Sequence, residues 1–195
     1  MYNAEIAAGS LMLPESRRIA ALLLSKPSST DWNQAIRIDN ILQKKTPSTA
    51  IRLARLIRNR LEPMPQDALE MISQGESEVA TQMLLLAAVK HSRLVGDFMR
   101  DVVAQHIRSF QDSLSRKDWD DFFAECLHRD ANVSTWSETT RAKLYQVILR
   151  ILKEARYVDG TRNPRLCRVM LNPAVKAYMD RHHETYATEC MELYA

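Results

Sequence analysis

The chain has 195 residues, 46% of them apolar, which is enough to bury one sizeable core or two small ones without disulfides or metals. Four glycines, abundant Ala, Leu, Arg and Met, and few alternating apolar runs exclude a sheet-rich fold and predict a mainly α one. A formal net charge of +3 is too small by itself to imply a polyanionic partner.

The distribution of charge says more than its total. Residues 37–60 carry seven bases against Asp39, and residues 141–168 carry eight against Glu154 and Asp159, a net +6 in each island. The remainder of the chain is correspondingly acidic. Such segregation predicts positive patches that face an anionic polymer, the competing account being two solvated helix faces. The longest apolar run, Met83 to Val89, is far below the roughly 20 residues that cross a bilayer, so no membrane partner is expected. The N-terminus has neither the basic start nor the apolar run of a secretion signal. The expectation is therefore a cytoplasmic protein with Cys126, Cys167 and Cys190 as free thiols.

In chain order, Pro14 opens a first helix whose Ile19, Leu22 and Leu23 form an apolar face, and Lys26-Pro27-Ser28-Ser29 ends it. Ser29 or Thr30 caps a second helix, expected from about Asp31 to Gln43, with Trp32, Ile36 and Ile41 or Leu42 spaced for burial. Thr46 as cap and Pro47 as first residue start a third helix after a short turn, which makes a helix-turn-helix candidate. On that third helix Ala50, Leu53, Ala54, Ile57 and Leu61 fall on one stripe, as a core-facing side requires. Ser48, Arg52, Arg55 and Asn59 line the opposite side, with Thr49 and Arg58 beside them and Lys44 and Lys45 just before. Arg and Asn can each pair bidentately with a base edge in the major groove, and Ser or Thr near a helix start reaches phosphate. The same pattern also describes an ordinary Arg-rich amphipathic helix.

Tyr2 to Leu24 (YNAEIAAGSLMLPESRRIAALLL) and Trp32 to Leu61, with its NILQKKTPSTAIRLARLIRNRL, resemble the N-terminal half of the BrxA family, small accessory proteins of BREX phage-defence systems. The chain length fits the family as well. The resemblance implies a non-enzymatic, mostly helical protein of helix-turn-helix or winged-helix character that binds double-stranded DNA and serves a defence locus, with other BREX proteins as further partners. BrxA-like proteins are also described as similar to the antitermination factor NusB, which implies an RNA-binding alternative.

Beyond Pro65 a short helix from about Gln66 to Gln74 is expected to stop at a Gly75 cap. Val79, Met83, Leu86, Leu94, Phe98 and Val102 then recur at helical spacing, and Met83 to Val89 is apolar all round, as in a helix buried on every side. A helix from about Lys117 to Leu127 follows. Ser137 caps a long helix to Arg156, with Leu144, Ile148, Ile151 and Ala155 on its core face and Thr139, Lys143, Gln146, Arg150 and Lys153 on the opposite stripe. The Asp159-Gly160 turn between strand-like segments predicts a small β-hairpin carrying Arg162, Arg165 and Arg168 like a wing. Asn172 and Pro173 cap a last helix toward Cys190. The expected organisation is a helix-turn-helix domain over 1–75, central core helices over 76–115, and a winged-helix-like domain over 116–195.

Chemistry finds little support. No Gly-rich phosphate loop is present, and Asp118, Asp121 and Glu125, which share a helix face, read as solvated carboxylates rather than as a nuclease centre. Cys126 and His128 are too close for the usual zinc spacing. The expectation is a protein without catalytic activity, metal, cofactor or small-molecule ligand. Two function classes remain, a double-stranded DNA binder and a helical adaptor that sets its basic faces against acidic partner proteins.

Overall fold

The computed structural model describes residues 1–194. A 3₁₀ turn over Glu5–Ala8 leads into α1 (Leu13–Leu24), where Pro14 occupies a first-turn position that needs no N–H. α2 (Ser29–Asn33) opens on a capping box in which Ser28 and Asp31 satisfy each other's backbone N–H groups. A wider π-type turn over Gln34–Ile38 continues it and ends it there, short of the expected Gln43. The reason is local. Asn40 and Gln43 adopt left-handed backbone, at φ 47° and 54°, and the Asn40 side chain brackets Lys44 by accepting its N–H at 3.0 Å and donating to its carbonyl at 2.9 Å. The connection to α3 (Pro47–Leu61) therefore runs from Asp39 to Thr46, longer than the about three or four residues of a helix-turn-helix turn. α3 itself starts where the sequence predicts, with the Thr46 hydroxyl accepting the Thr49 N–H and Pro47 as first residue.

α4 (Gln66–Gln74) ends at Gly75, whose backbone is extended rather than left-handed, so the expected glycine cap is not formed. α5 (Ser77–His91) is the axis of the core. Every side chain from Met83 to Val89 is buried, as an all-round apolar helix requires. α1, α3 and α4 pack on it, as do α10 (Pro173–Arg181) and α11 (Thr185–Met191) from the other end of the chain. α6 (Arg93–Asp97), a π-type turn over Phe98–Val103 and α7 (Ala104–Arg108) run on from one another. They lead to an aromatic cluster in which Phe98, Trp119, Phe122, Phe123 and Tyr145 have neighbouring ring centroids 5.3–5.9 Å apart. α8 (Arg116–Arg129) and α9 (Glu138–Glu154) supply most of that cluster.

One close approach fixes the docking of α11. A side chain at Gly96 would place its Cβ 2.3 Å from the Tyr186 hydroxyl, which instead donates to buried Asp97 at 2.8 Å. The Tyr2 hydroxyl donates to the other Asp97 oxygen at 2.8 Å, so one carboxylate ties both ends of the chain to the middle of the fold.

The expected C-terminal hairpin is absent. Among the described residues no strand forms, and 157–171 holds only isolated bridges, one between Val158 and Leu166 and one from Arg165 to Ser113. Competing partners take the backbone groups that a hairpin would need. The Asp159 and Cys167 N–H groups reach the Arg165 and Tyr157 carbonyls at 3.1 and 2.9 Å, but the Tyr157 N–H goes back to the Leu152 carbonyl of α9 at 2.8 Å and the Arg165 N–H to the Asp159 side chain at 2.9 Å, so the pairing stops at one bridge. Farther on, the Gln82 side chain of α5 clamps the Met170 carbonyl and the Asn172 N–H. Without a hairpin there is no wing, and the region is a helix pair with a pinned loop, so the fold is helical throughout rather than winged. The last expected helix is also divided, because His183 turns left-handed at φ 53° between α10 and α11.

Candidate nucleic-acid interface

α3 divides as its sequence pattern requires. Ala50, Leu53, Ala54, Ile57 and Leu61 are all buried, while Ser48, Arg52 and Arg55 are exposed and Thr49, Arg58 and Asn59 half-exposed. The cations on this side differ in how free they are. Lys44 is paired with Glu15 of α1, and Arg58 is held by Glu62 at 2.7 Å and lies 4.6 Å over the Trp32 ring. Arg52 donates to the Ala8 carbonyl at 2.9 Å and with Arg55 flanks a groove shared with Glu5 and Asn59. Lys45, Arg52 and Arg55 face no carboxylate within ion-pair distance among the described residues.

α9 repeats the arrangement. Leu144, Ile148, Ile151 and Ala155 are buried, and Thr139, Lys143, Gln146, Arg150 and Lys153 are all exposed along the opposite stripe. The two helices also begin alike. The Thr46 hydroxyl contacts the Ser48 and Thr49 hydroxyls at 3.2 and 2.8 Å, and Ser137 contacts those of Thr139 and Thr140 at 2.9 Å each.

A single crossing segment links the two helices. Arg60, the one base of the first island that is buried (6% exposed), donates from α3 to the carbonyls of Ser10 and Gly9 at 2.5 and 2.8 Å. From α9, Glu154 accepts the Ser10 hydroxyl at 2.6 Å and the N–H groups of Leu11 and Met12 at 2.7 and 3.2 Å. Burial pulls the Arg60 guanidinium down to about 10, and the negative charge of Glu154 opposes that shift. Arg60 therefore belongs to the scaffold and not to the binding face, which its position beside Leu53, seven residues before it and so nearly aligned on the helical wheel, already indicates.

The three arginines of the expected wing are separated. Arg162 and Arg165 line a cleft of about 610 Å³ together with Arg116, the first residue of α8, which sequence reasoning missed because its neighbours Lys117 and Asp118 give no sign that the 161–165 loop packs nearby. Arg168 lines a different cleft of about 330 Å³ beside Arg156, with Glu78 and Glu154 among its walls.

The acidic face of α8 is engaged rather than open. Asp118 caps α8 through Ser115 and lies 3.3 Å from His106, Asp121 is bonded to Lys117 at 2.6 Å, and Glu125 to Arg129 at 3.0 Å. His106 is thus beside Asp118, yet no group of three or more His, Cys, Asp or Glu among the described residues is arranged to hold a metal ion. Burial pushes the thiols of Cys126 and Cys190 up to about 12, away from reactive thiolate. No helix of the described residues is long and apolar enough to cross a membrane.

The family model described as BrxA matches residues 1–183. A protein of Paramagnetospirillum magneticum (strain ATCC 700264 / AMB-1) described as BREX protein BrxA is 40% identical over 192 residues, covering 98% of this chain and 96% of that one. One of the same description from Escherichia coli O9:H4 (strain HS) is 34% identical over 177 residues, covering 91% and 83%. Among solved structures, the crystal structure of an uncharacterized protein from Magnetospirillum magneticum superposes with a TM-score of 0.90 at 39% identity, over 97% of both chains.

Proposed function

The chain belongs to the BrxA family, and on that premise we propose that it is a non-enzymatic accessory protein of a BREX-type phage-defence system that binds double-stranded DNA. The contact set is the exposed side of α3 (Lys44, Lys45, Ser48, Thr49, Arg52, Arg55, Arg58 and Asn59), the stripe of α9 (Thr139, Lys143, Gln146, Arg150 and Lys153), and the loop arginines Arg162 and Arg165, with Arg168 at the margin. The observation that carries this reading is the pair of exposed cation stripes, with six cations that pair with no carboxylate among the described residues, on two capped helices whose opposite faces are buried. Lys45, Arg52, Arg55, Lys143, Arg150 and Lys153 are the members best placed to neutralise phosphate.

About six phosphate contacts give a plot of log K against log salt with a slope near −5. Anisotropy titration of labelled duplex DNA over a salt series measures it. Absence of binding at low salt, or tight binding that ignores salt, refutes the proposal. Duplex RNA serves as competitor, because its A-form major groove does not admit a helix and it should compete poorly with DNA. Effective competition by RNA would favour the NusB-like alternative. Retention of acidic partner proteins without DNA binding would favour the adaptor.

A further inference from the structure

Phe110 occupies a position that both its backbone and its side chain should avoid. It is 97% exposed, and its φ is +54°. The Gln111 N–H reaches back to the His106 carbonyl at 2.9 Å and the Phe110 N–H to Ile107 at 3.2 Å, which is the left-handed termination that helices ordinarily give to glycine or asparagine. A bulky residue there is strained, and a ring in water contributes no burial in return.

The surroundings supply a reason. Asp112, two residues on and so within about 7 Å along the chain, lines the cleft that holds Arg116, Arg162 and Arg165. Backbone bonds from Leu166 to Asp112 and from Leu114 to Pro164 pin the loop that carries Phe110 against the one that carries Arg162 and Arg165. The cleft is cationic on balance, with three arginines in its lining against the single carboxylate of Asp112. Arg162 and Arg165 meet no carboxylate among the described residues, Arg116 is shared with exposed Asp120 at 3.2 Å, and Asp159 is spent on the Arg165 N–H at 2.9 Å.

We propose that Phe110 is an aromatic wedge that enters a base step of duplex DNA whose phosphates lie on Arg116, Arg162 and Arg165. This rests on the DNA-binding reading above and adds a deformed base step to it. Apolar side chains inserted between base pairs unstack them and kink the duplex, and cations on the adjoining phosphates hold the bent form. The inserted ring recovers by stacking part of what the separated bases lose.

The test uses the full chain, duplex DNA carrying 2-aminopurine at several steps, and the variants Phe110→Gly and Phe110→Trp. Wild-type protein should raise 2-aminopurine fluorescence on binding, as unstacking requires, and should bind a mismatched duplex several-fold more tightly than a matched one, because a mismatch lowers the cost of opening the step. Phe110→Gly should bind matched duplex about tenfold more weakly, give no fluorescence rise, and keep the same salt slope because no charge is lost. Its Tm should rise by about 2 °C as the strained cap is relieved. Phe110→Trp should restore the fluorescence signal. A wild-type complex without a fluorescence rise, or a Phe110→Gly protein that matches wild type in both affinity and fluorescence, overturns the wedge while leaving DNA binding intact. Tighter binding of single strands than of duplex, lost in Phe110→Gly, would assign the ring to an unpaired base and also overturn it. No duplex binding by wild type at low salt removes the DNA reading and the wedge with it.

Discussion

Neutralising two arginines of α3 tests the central claim with a calculable result. In Arg52→Gln with Arg55→Gln both altered side chains lie on the exposed face opposite the buried stripe. The fold should lose only the exposed Arg52 bond to the Ala8 carbonyl, about 0.5 kcal/mol at most, which moves Tm by about 2 °C or less. Binding should respond far more. Each phosphate contact contributes about 0.9 to the salt slope, so losing two takes it from about −5.4 to about −3.6. The same counterion term predicts affinity about 30-fold weaker at 0.15 M salt and about 200-fold weaker at 0.05 M, the gap widening as salt falls. Anisotropy titrations at four or five salt concentrations, with thermal melts of the same preparations, measure both quantities. A parallel salt plot, displaced but with unchanged slope, would mean that neither arginine touches phosphate. A Tm fall of about 10 °C or more would mean that the helical phase assigned to α3 is wrong.

Arg60→Met should lower stability by about 2–3 kcal/mol, seen as a lower denaturant midpoint, because it leaves the Gly9 and Ser10 carbonyls short of a buried donor and removes a positive charge near Glu154. Leu86→Ala, at a site with no exposure, should cost about 3–5 kcal/mol by the same measurement. A thiol titration at pH 8 in native buffer should find one accessible group, half-buried Cys167, with buried Cys126 and Cys190 reacting only after unfolding. Burial, and then the charge of Arg60, hold the His91 imidazolium below its usual range. Its folded value is thus lower than its unfolded one, near 6.5, so its contribution to stability is complete above that pH and is lost as pH falls toward the folded value. The Tm of wild type should therefore decline more steeply than that of His91→Gln between about pH 7 and 5.

Features written in local periodicity and in caps were legible in the sequence. Thr46-Pro47 and Ser137 start their helices as their chemistry dictates, and the buried and exposed stripes of α3 and α9 follow from helical spacing alone. What the sequence hid depends on partners distant in the chain. The Asp159-Gly160 signal for a hairpin is real, but the Leu152 carbonyl takes the Tyr157 N–H, the Asp159 side chain takes the Arg165 N–H, and Gln82 holds the chain farther on, so the pairing stops at a single bridge. The break after α10 is held by His182 on Asp67 at 2.8 Å and by Glu184 paired with Lys90, contacts that no local pattern announces. Likewise α3 displays its arginines plainly, but not that Glu15 claims Lys44 or that Trp32 lies under Arg58.

The buried join between the two cationic helices bears on how they would act together. Arg60 and Glu154 both grip one short segment, Gly9–Met12, through bonds that include a buried guanidinium and a carboxylate accepting two backbone N–H groups. Two helices linked only by a mobile tether would gain from each other by effective concentration, and their contributions to affinity would depend on tether length. Helices fixed on one core have already given up that freedom during folding, so a duplex that engages one finds the other in a set orientation with no further ordering cost. A rigid pair also cannot adapt to a straight duplex if its own spacing does not match one, and the strain then falls on the DNA. Bending or local opening of the duplex is the expected response, and an exposed aromatic side chain beside the cationic cleft is suited to exploit such a step.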